Sequence, residues 1–203
     1  MKKSVKILLL SLCAVLLIAA TVAGTLAYLT SRAEVVNTFT VGNVTITMDE
    51  AKVDADGKAT AADRVTENVY HLIPGKTYDK DPTVHVAAGS EDAWLFVKVE
   101  NGLADLEGDP TIAAQMTANG WTVIDAENNV YAYKEKVTAG QDIKTFETFT
   151  LSNFADFEDI VATGETDATA IAVTAYAIQA EGFDTADAAW TGVLEQLRVS
   201  DQT

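Results

Sequence analysis

Short runs in which polar and apolar residues alternate set the strongest limit on what this chain can become. Thr38-Phe39-Thr40-Val41 alternates with period two, and Val44-Thr45-Ile46-Thr47-Met48 alternates again with its apolar positions moved from odd to even numbers. Gly42-Asn43 sits at the change of phase. Because the side-chain period of a strand is two, a one-residue shift at a glycine predicts a β-bulge or a sharp bend. Runs rich in β-branched and aromatic residues predict further strands at residues 82–86, at Ala93-Trp94-Leu95-Phe96-Val97-Lys98-Val99, at Gly120-Trp121-Thr122-Val123-Ile124, at Val130-Tyr131-Ala132-Tyr133, and at residues 145–151 and 170–180. The strand that begins at Trp94 is apolar on both faces at its start, which predicts a central position.

Turn chemistry separates these runs. Pro74-Gly75, Glu127-Asn128-Asn129 and Ala139-Gly140-Gln141 read as turns, the second joining two strands as a hairpin. Two short helices are expected. Asp109-Pro110 offers an N-cap followed by a proline at the first helical position, with Asn119-Gly120 closing the element. Residues 185–197 place Trp190, Val193, Leu194 and Leu197 at helical spacing, a stripe able to dock on a sheet. Seven or more closely spaced strands with helices as decoration predict an all-β fold, a jelly-roll or Greek-key β-sandwich carrying one or two short helices.

The N-terminus differs in kind. Lys2, Lys3 and Lys6 precede an almost unbroken apolar run over residues 7–23, and Thr25-Leu26-Ala27 supplies small residues at the positions a signal peptidase reads. Residues 1–27 are therefore expected to be a secretory signal peptide cut between Ala27 and Tyr28, with residues 28–37 as an N-terminal segment and 38–203 as the β-sandwich domain. The competing reading is a retained anchor, because about 17 apolar residues lie at the short end of what spans a bilayer. Cys13 follows Leu12, where a lipoprotein box needs a small residue. It is the only cysteine, so the expected mature chain has neither disulfides nor thiol chemistry.

The chain carries 30 acidic against 14 basic residues, a formal net charge of −16, and the leader's three lysines make the remainder more negative still. Clustered Lys and Arg are what hold a phosphate backbone, so nucleic acid is excluded as a partner. A hydrophobic fraction of 48% excludes disorder.

Catalytic constellations are absent from the sequence. His71 and His85 are the only histidines, and neither belongs to a His-Glu-x-x-His pair. No Gly-x-Ser-x-Gly elbow, phosphate-binding loop or dinucleotide fingerprint occurs. The expectation is a protein that is not an enzyme and uses no metal or cofactor, with both histidines as hydrogen-bonded strand or turn residues. Asp54-Ala55-Asp56-Gly57 begins like a calcium loop, but its glycine comes two positions early and no glutamate stands at the twelfth position. The acidic stretch over residues 49–63 reads instead as a solvated Asp-Gly loop between strands.

Several blocks together resemble the camelysin and TasA family of secreted biofilm-matrix proteins. They are Gly24-Thr25-Leu26-Ala27-Tyr28-Leu29-Thr30-Ser31, Asn37-Thr38-Phe39-Thr40-Val41-Gly42-Asn43-Val44, Leu72-Ile73-Pro74-Gly75-Lys76 before Asp81-Pro82-Thr83-Val84, Glu91 through the strand ending at Val99, and Gln179-Ala180-Glu181-Gly182-Phe183. The resemblance implies a jelly-roll subunit of a bacterium, secreted to the extracellular matrix or cell surface. It also implies a leader cut at Thr25, Ala27 and Tyr28 by a signal peptidase of the endoplasmic-reticulum type. It implies self-association into fibres, with other matrix proteins as further partners, and a donor strand over residues 28–36 that completes the sheet of the next subunit. The residues this assigns to polymerisation are Tyr28, Leu29, Ala33, Val35 and Val36. Two alternatives from other classes stand beside it: a camelysin-like cell-surface metalloprotease, and a monomeric surface adhesion or binding module.

Overall fold

The computed structural model describes residues 30–41, 43–153 and 170–200. The signal peptide expected at 1–27, the cleavage residues Thr25, Ala27 and Tyr28, and Leu29 lie outside the described residues. Within them the chain is mostly β, as its alternation implies. Two strands open it, β1 (Thr30–Val41) and β2 (Ile46–Val53), followed by β3 (Ala59–Val65), β4 (Glu67–His71), β5 (Thr77–Asp79), β6 (Thr83–Val86) and β7 (Ala93–Asn101). Helix α1 (Ile112–Ala118) then precedes β8 (Trp121–Asp125), β9 (Val130–Tyr133), β10 (Asp142–Lys144), β11 (Thr148–Thr150), β12 (Ile171–Gln179) and helix α2 (Ala186–Ser200).

The strands form a six-stranded sheet in the order β4-β1-β12-β7-β9-β8, a four-stranded sheet in the order β10-β6-β2-β3, and the pair β11-β5. The phase change near Gly42-Asn43 marks a change of sheet: β1 belongs to the six-stranded sheet and β2 to the four-stranded one. β7 is interior, flanked by β12 and β9. Among the described residues the strand pairings are antiparallel except β1 with β12, which run parallel.

Period two explains the core. Ile46 and Met48 on β2, Val84 and Val86 on β6, Leu95, Val97 and Val99 on β7, and Val173, Ala175 and Ala177 on β12 all point into one buried cluster shared by the two larger sheets. Phe149 of β11 and Tyr78 of β5 join it, stacked with ring centroids 4.8 Å apart, and Tyr70 of β4 stands edge-on to both. The opposite phase of the six-stranded sheet is also apolar. Phe96, Val130, Ala132 and Ile178 meet Ala189, Trp190 and Val193 of α2 in a second cluster. This is why β7 reads as apolar on both faces. Burying each such large side chain contributes about 1.5–3 kcal/mol.

The helices start and stop by capping chemistry. Thr185 Oγ1 accepts from Ala188 N at the start of α2. For α1 the cap is Thr111, whose Oγ1 accepts from Ala114 N, and not Asp109. Pro110 therefore precedes the cap where the first helical turn was expected. Asn119 and Gly120 close the helix, Gly120 at φ +91°.

Two further expectations need correction. Residues 145–151 are not one strand: Thr148–Thr150 pair with β5 and Leu151 bridges to Glu107, while Thr145 Oγ1 donates to Pro82 O and Phe146 is buried at the corner before them. The acidic stretch 49–63 is mostly strand, because β2 runs to Val53 and β3 begins at Ala59. The solvated turn is confined to the residues between, where Asp54 Oδ1 accepts from Asp56 N and Lys58 N and Gly57 takes φ +68°.

Candidate functional site

The N-terminal strand holds an unusual place in its sheet. Residues 30–34 pair antiparallel with β4, and after that the chain changes partner, so that Val35, Val36, Phe39, Thr40 and Val41 pair in parallel with β12. The register shifts between Val36 and Phe39. β1 is thus a staggered splice: one half grips β4, the other half grips β12. Among the described residues β4 has no other strand partner. Of the residues assigned to polymerisation, Ala33 stands opposite Asn68 of β4, while Val35 and Val36 stand opposite Val173 and Thr174 of β12. Tyr28 and Leu29 lie outside the described residues.

Beneath β4 lies a buried polar group that the sequence reading did not single out. Glu50 continues the inward phase of Ile46 and Met48 on β2, and Asn68 shares the inward phase of Tyr70 on β4. Lys80 follows β5. Glu50 is 0%, Lys80 1% and Asn68 5% exposed. One carboxylate oxygen, Glu50 Oε2, accepts from Lys80 Nζ at 2.6 Å, and the other, Oε1, accepts from Asn68 Nδ2 at 2.9 Å. The Asn68 carboxamide also serves the backbone of β2: its Nδ2 donates to Ala51 O at 2.8 Å and its Oδ1 accepts from Val53 N at 3.0 Å. The β2–β3 ladder shifts register between Ala51 and Val53, so a side chain supplies partners where the ladder does not. Burial pushes the Lys80 ammonium below the ordinary lysine range, against the pull of Glu50. Burial and the nearby carboxylates, Glu50 first, hold the Tyr70 phenol above its ordinary range, and its hydroxyl donates to Asp79 O at 2.9 Å.

A second polar row crosses the outer face of the four-stranded sheet. His85 lies between two carboxylates, with Nδ1 2.7 Å from Asp142 Oδ1 and Nε2 2.9 Å from Asp49 Oδ1. Arg64 Nε donates to Asp49 Oδ1, and its Nη1 donates to Asp81 Oδ2 at 3.1 Å. Partial burial pulls the His85 pKa down, and the hydrogen bonds and charges of Asp49 and Asp142 overcome it, so the imidazolium persists above the usual histidine range. A ring with both nitrogens facing carboxylates is a cross-brace between β6, β2 and β10. His71 stands exposed at the end of β4, where its carbonyl accepts from Tyr78 Oη at 2.6 Å.

Among the described residues no three His, Cys, Asp or Glu side chains converge as a metal-ion group, and no helix is long and apolar enough to cross a membrane. Comparison of the chain with protein-family models, with curated proteins and with solved structures finds no match.

Proposed function

We propose that this chain is a secreted structural subunit that assembles head to tail into extracellular matrix fibres, the N-terminal strand of one copy completing the sheet of the next. In this reading the sheets form a jelly-roll sandwich. Residues 1–27 are a leader removed by a signal peptidase of the endoplasmic-reticulum type, and its removal frees the strand to transfer. The observation that supports it is the splice. β1 is the first described strand, yet it occupies an interior position between β4 and β12. A copy whose β1 has left presents a slot with unpaired N–H and C=O groups on both sides, and an equivalent strand from another copy satisfies them with the same register. Such a contact joins two different surfaces, so it propagates as a filament.

The test uses the near absence of cysteine. Val36 and Thr174 are register partners across β1 and β12, and adjacent strands lie about 4.7–4.9 Å apart, within disulfide reach. In the variant carrying V36C and T174C, exchange yields a ladder of disulfide-linked oligomers on non-reducing gels of secreted material. A disulfide confined to single chains within imaged fibres refutes exchange at this strand. Deletion of residues 28–36 abolishes fibres seen by negative-stain microscopy, and fibres of normal length from that deletion overturn the reading.

A further inference from the structure

We propose that Lys80 and Asn68 become joined by an intramolecular isopeptide bond, with Glu50 as the catalytic residue that moves the protons. The inference stands on the buried group alone and does not depend on fibre assembly.

The three parts such a reaction needs are in place. The nucleophile is the Lys80 amine, 1% exposed and held on Glu50 Oε2 at 2.6 Å, removed from water. Burial already lowers its hold on the extra proton, which is what makes a lysine nucleophilic near neutral pH. The electrophile is the Asn68 carboxamide, whose Oδ1 accepts a hydrogen bond from Val53 N at 3.0 Å, so a backbone N–H waits where negative charge develops. The proton carrier touches both: Glu50 holds Lys80 Nζ on Oε2 and Asn68 Nδ2 on Oε1. Nucleophile and leaving group thus lie on the two oxygens of one carboxylate, Lys80 in the segment after β5 and Asn68 on β4.

The chemistry balances without an outside reagent. Glu50 takes a proton from the Lys80 ammonium, leaving a neutral amine whose lone pair forms a bond to Asn68 Cγ. The carbonyl pair moves to Oδ1 beside Val53 N–H. Glu50 returns its proton to Nδ2, the Oδ1 pair re-forms the carbonyl, the Cγ–Nδ2 bond breaks, and ammonia departs. The new amide nitrogen gives its surplus proton to Glu50, and from there it leaves with the ammonia as ammonium. One ammonium and one carboxamide become one secondary amide and one ammonium ion.

The unreacted group shows why the product is favoured. Among the described residues the Lys80 ammonium, with three hydrogens, has Glu50 Oε2 as its partner, and a buried cation with unfilled donors is costly. The amide carries no charge, keeps one N–H for Glu50 and keeps Oδ1 on Val53 N. The bond fastens β4, whose strand pairing depends on β1, to the segment between β5 and β6. It does so in a region with no cysteine available for a disulfide.

Peptide mapping of the purified wild-type protein decides the matter. The expected result is a trypsin-resistant Lys80, a branched peptide pair carrying Asn68 and Lys80, and a mass deficit of one NH3, about 17 Da. Linear wild-type peptides with Lys80 cleaved and Asn68 intact overturn the proposal, whether or not any variant folds. In E50Q the carboxamide cannot ferry protons, so the full mass and both linear peptides are expected. A folded E50Q protein that still shows the branched peptide refutes the role of Glu50.

Discussion

Trp190 is the anchor of α2 and allows the packing account to be tested with two substitutions at one position. It is 8% exposed, with its ring 5.2 Å from Phe96 and 5.6 Å from Tyr176, so it presses the helix onto β7 and β12. Its Nε1–H is buried with no hydrogen-bond partner among the described residues. Trp190→Ala removes the whole indole from a close-packed site, a change that costs about 3–5 kcal/mol, the two ring contacts included. Trp190→Phe keeps one aromatic ring in place and loses about 1–2 kcal/mol of filled volume. It also deletes an idle buried donor, which had cost about 1–3 kcal/mol. The net effect of Phe therefore runs from a loss of about 1 kcal/mol to a gain of about 2 kcal/mol. In urea unfolding followed by circular dichroism, a slope of about 2 kcal/mol per molar converts these into a midpoint lowered by about 1.5–2.5 M for Ala and by no more than about 0.5 M for Phe. A Phe variant as damaged as the Ala variant refutes the idle donor. An Ala midpoint within about 0.5 M of wild type refutes the anchoring role.

Two other perturbations probe separate links. Gly57→Ala puts a side chain at φ +68° with its Cβ 2.4 Å from Tyr78 Cδ1, and Tyr78 is held by Oη bonds to His71 O and Ile73 N. A loss of about 2–4 kcal/mol in thermal unfolding is expected, against about 1–2 for Gly89→Ala, which has φ +92° and nothing near its added methyl. A Gly57→Ala loss no larger than that of Gly89→Ala would show that Tyr78 yields. His85 has its pKa raised in the folded chain, so its contribution is fully present below the unfolded value of about 6.5 and is lost as pH rises through the folded one. Urea midpoints are therefore expected to fall between pH 6 and pH 9, and less steeply in His85→Gln. Identical slopes for the two proteins remove His85 from the account.

How much of this was legible varies element by element, for physical reasons. β7, β9, β12 and α2 were readable because both faces of the interior strands and one stripe of the helix are apolar, and local pattern is all such elements need. β3 was not readable: Ala59-Thr60-Ala61-Ala62-Asp63-Arg64-Val65 has little β-branched content, and it is a strand because β2 pairs with it. The true cap of α1 lies two residues past the expected one, since Thr111 competes with Asp109 and only backbone direction decides between them. Glu50 was within reach, because carrying the alternation of Ile46 and Met48 two residues further places a carboxylate inside. Asn68 and Lys80 were not, because they reach Glu50 only across sheets whose contact is set by the whole fold.

The pairing of β1 with β12 also imposes an order on folding. Val35 lies opposite Val173, about 140 residues later, and synthesis at about 5–20 residues per second leaves on the order of 10 s between their appearances. For that interval the early half of β1 has β4 as a local partner, while the later half has no parallel mate from its own chain. The growing polypeptide thus passes through a timed window in which half of its first strand still lacks the edge that will complete it.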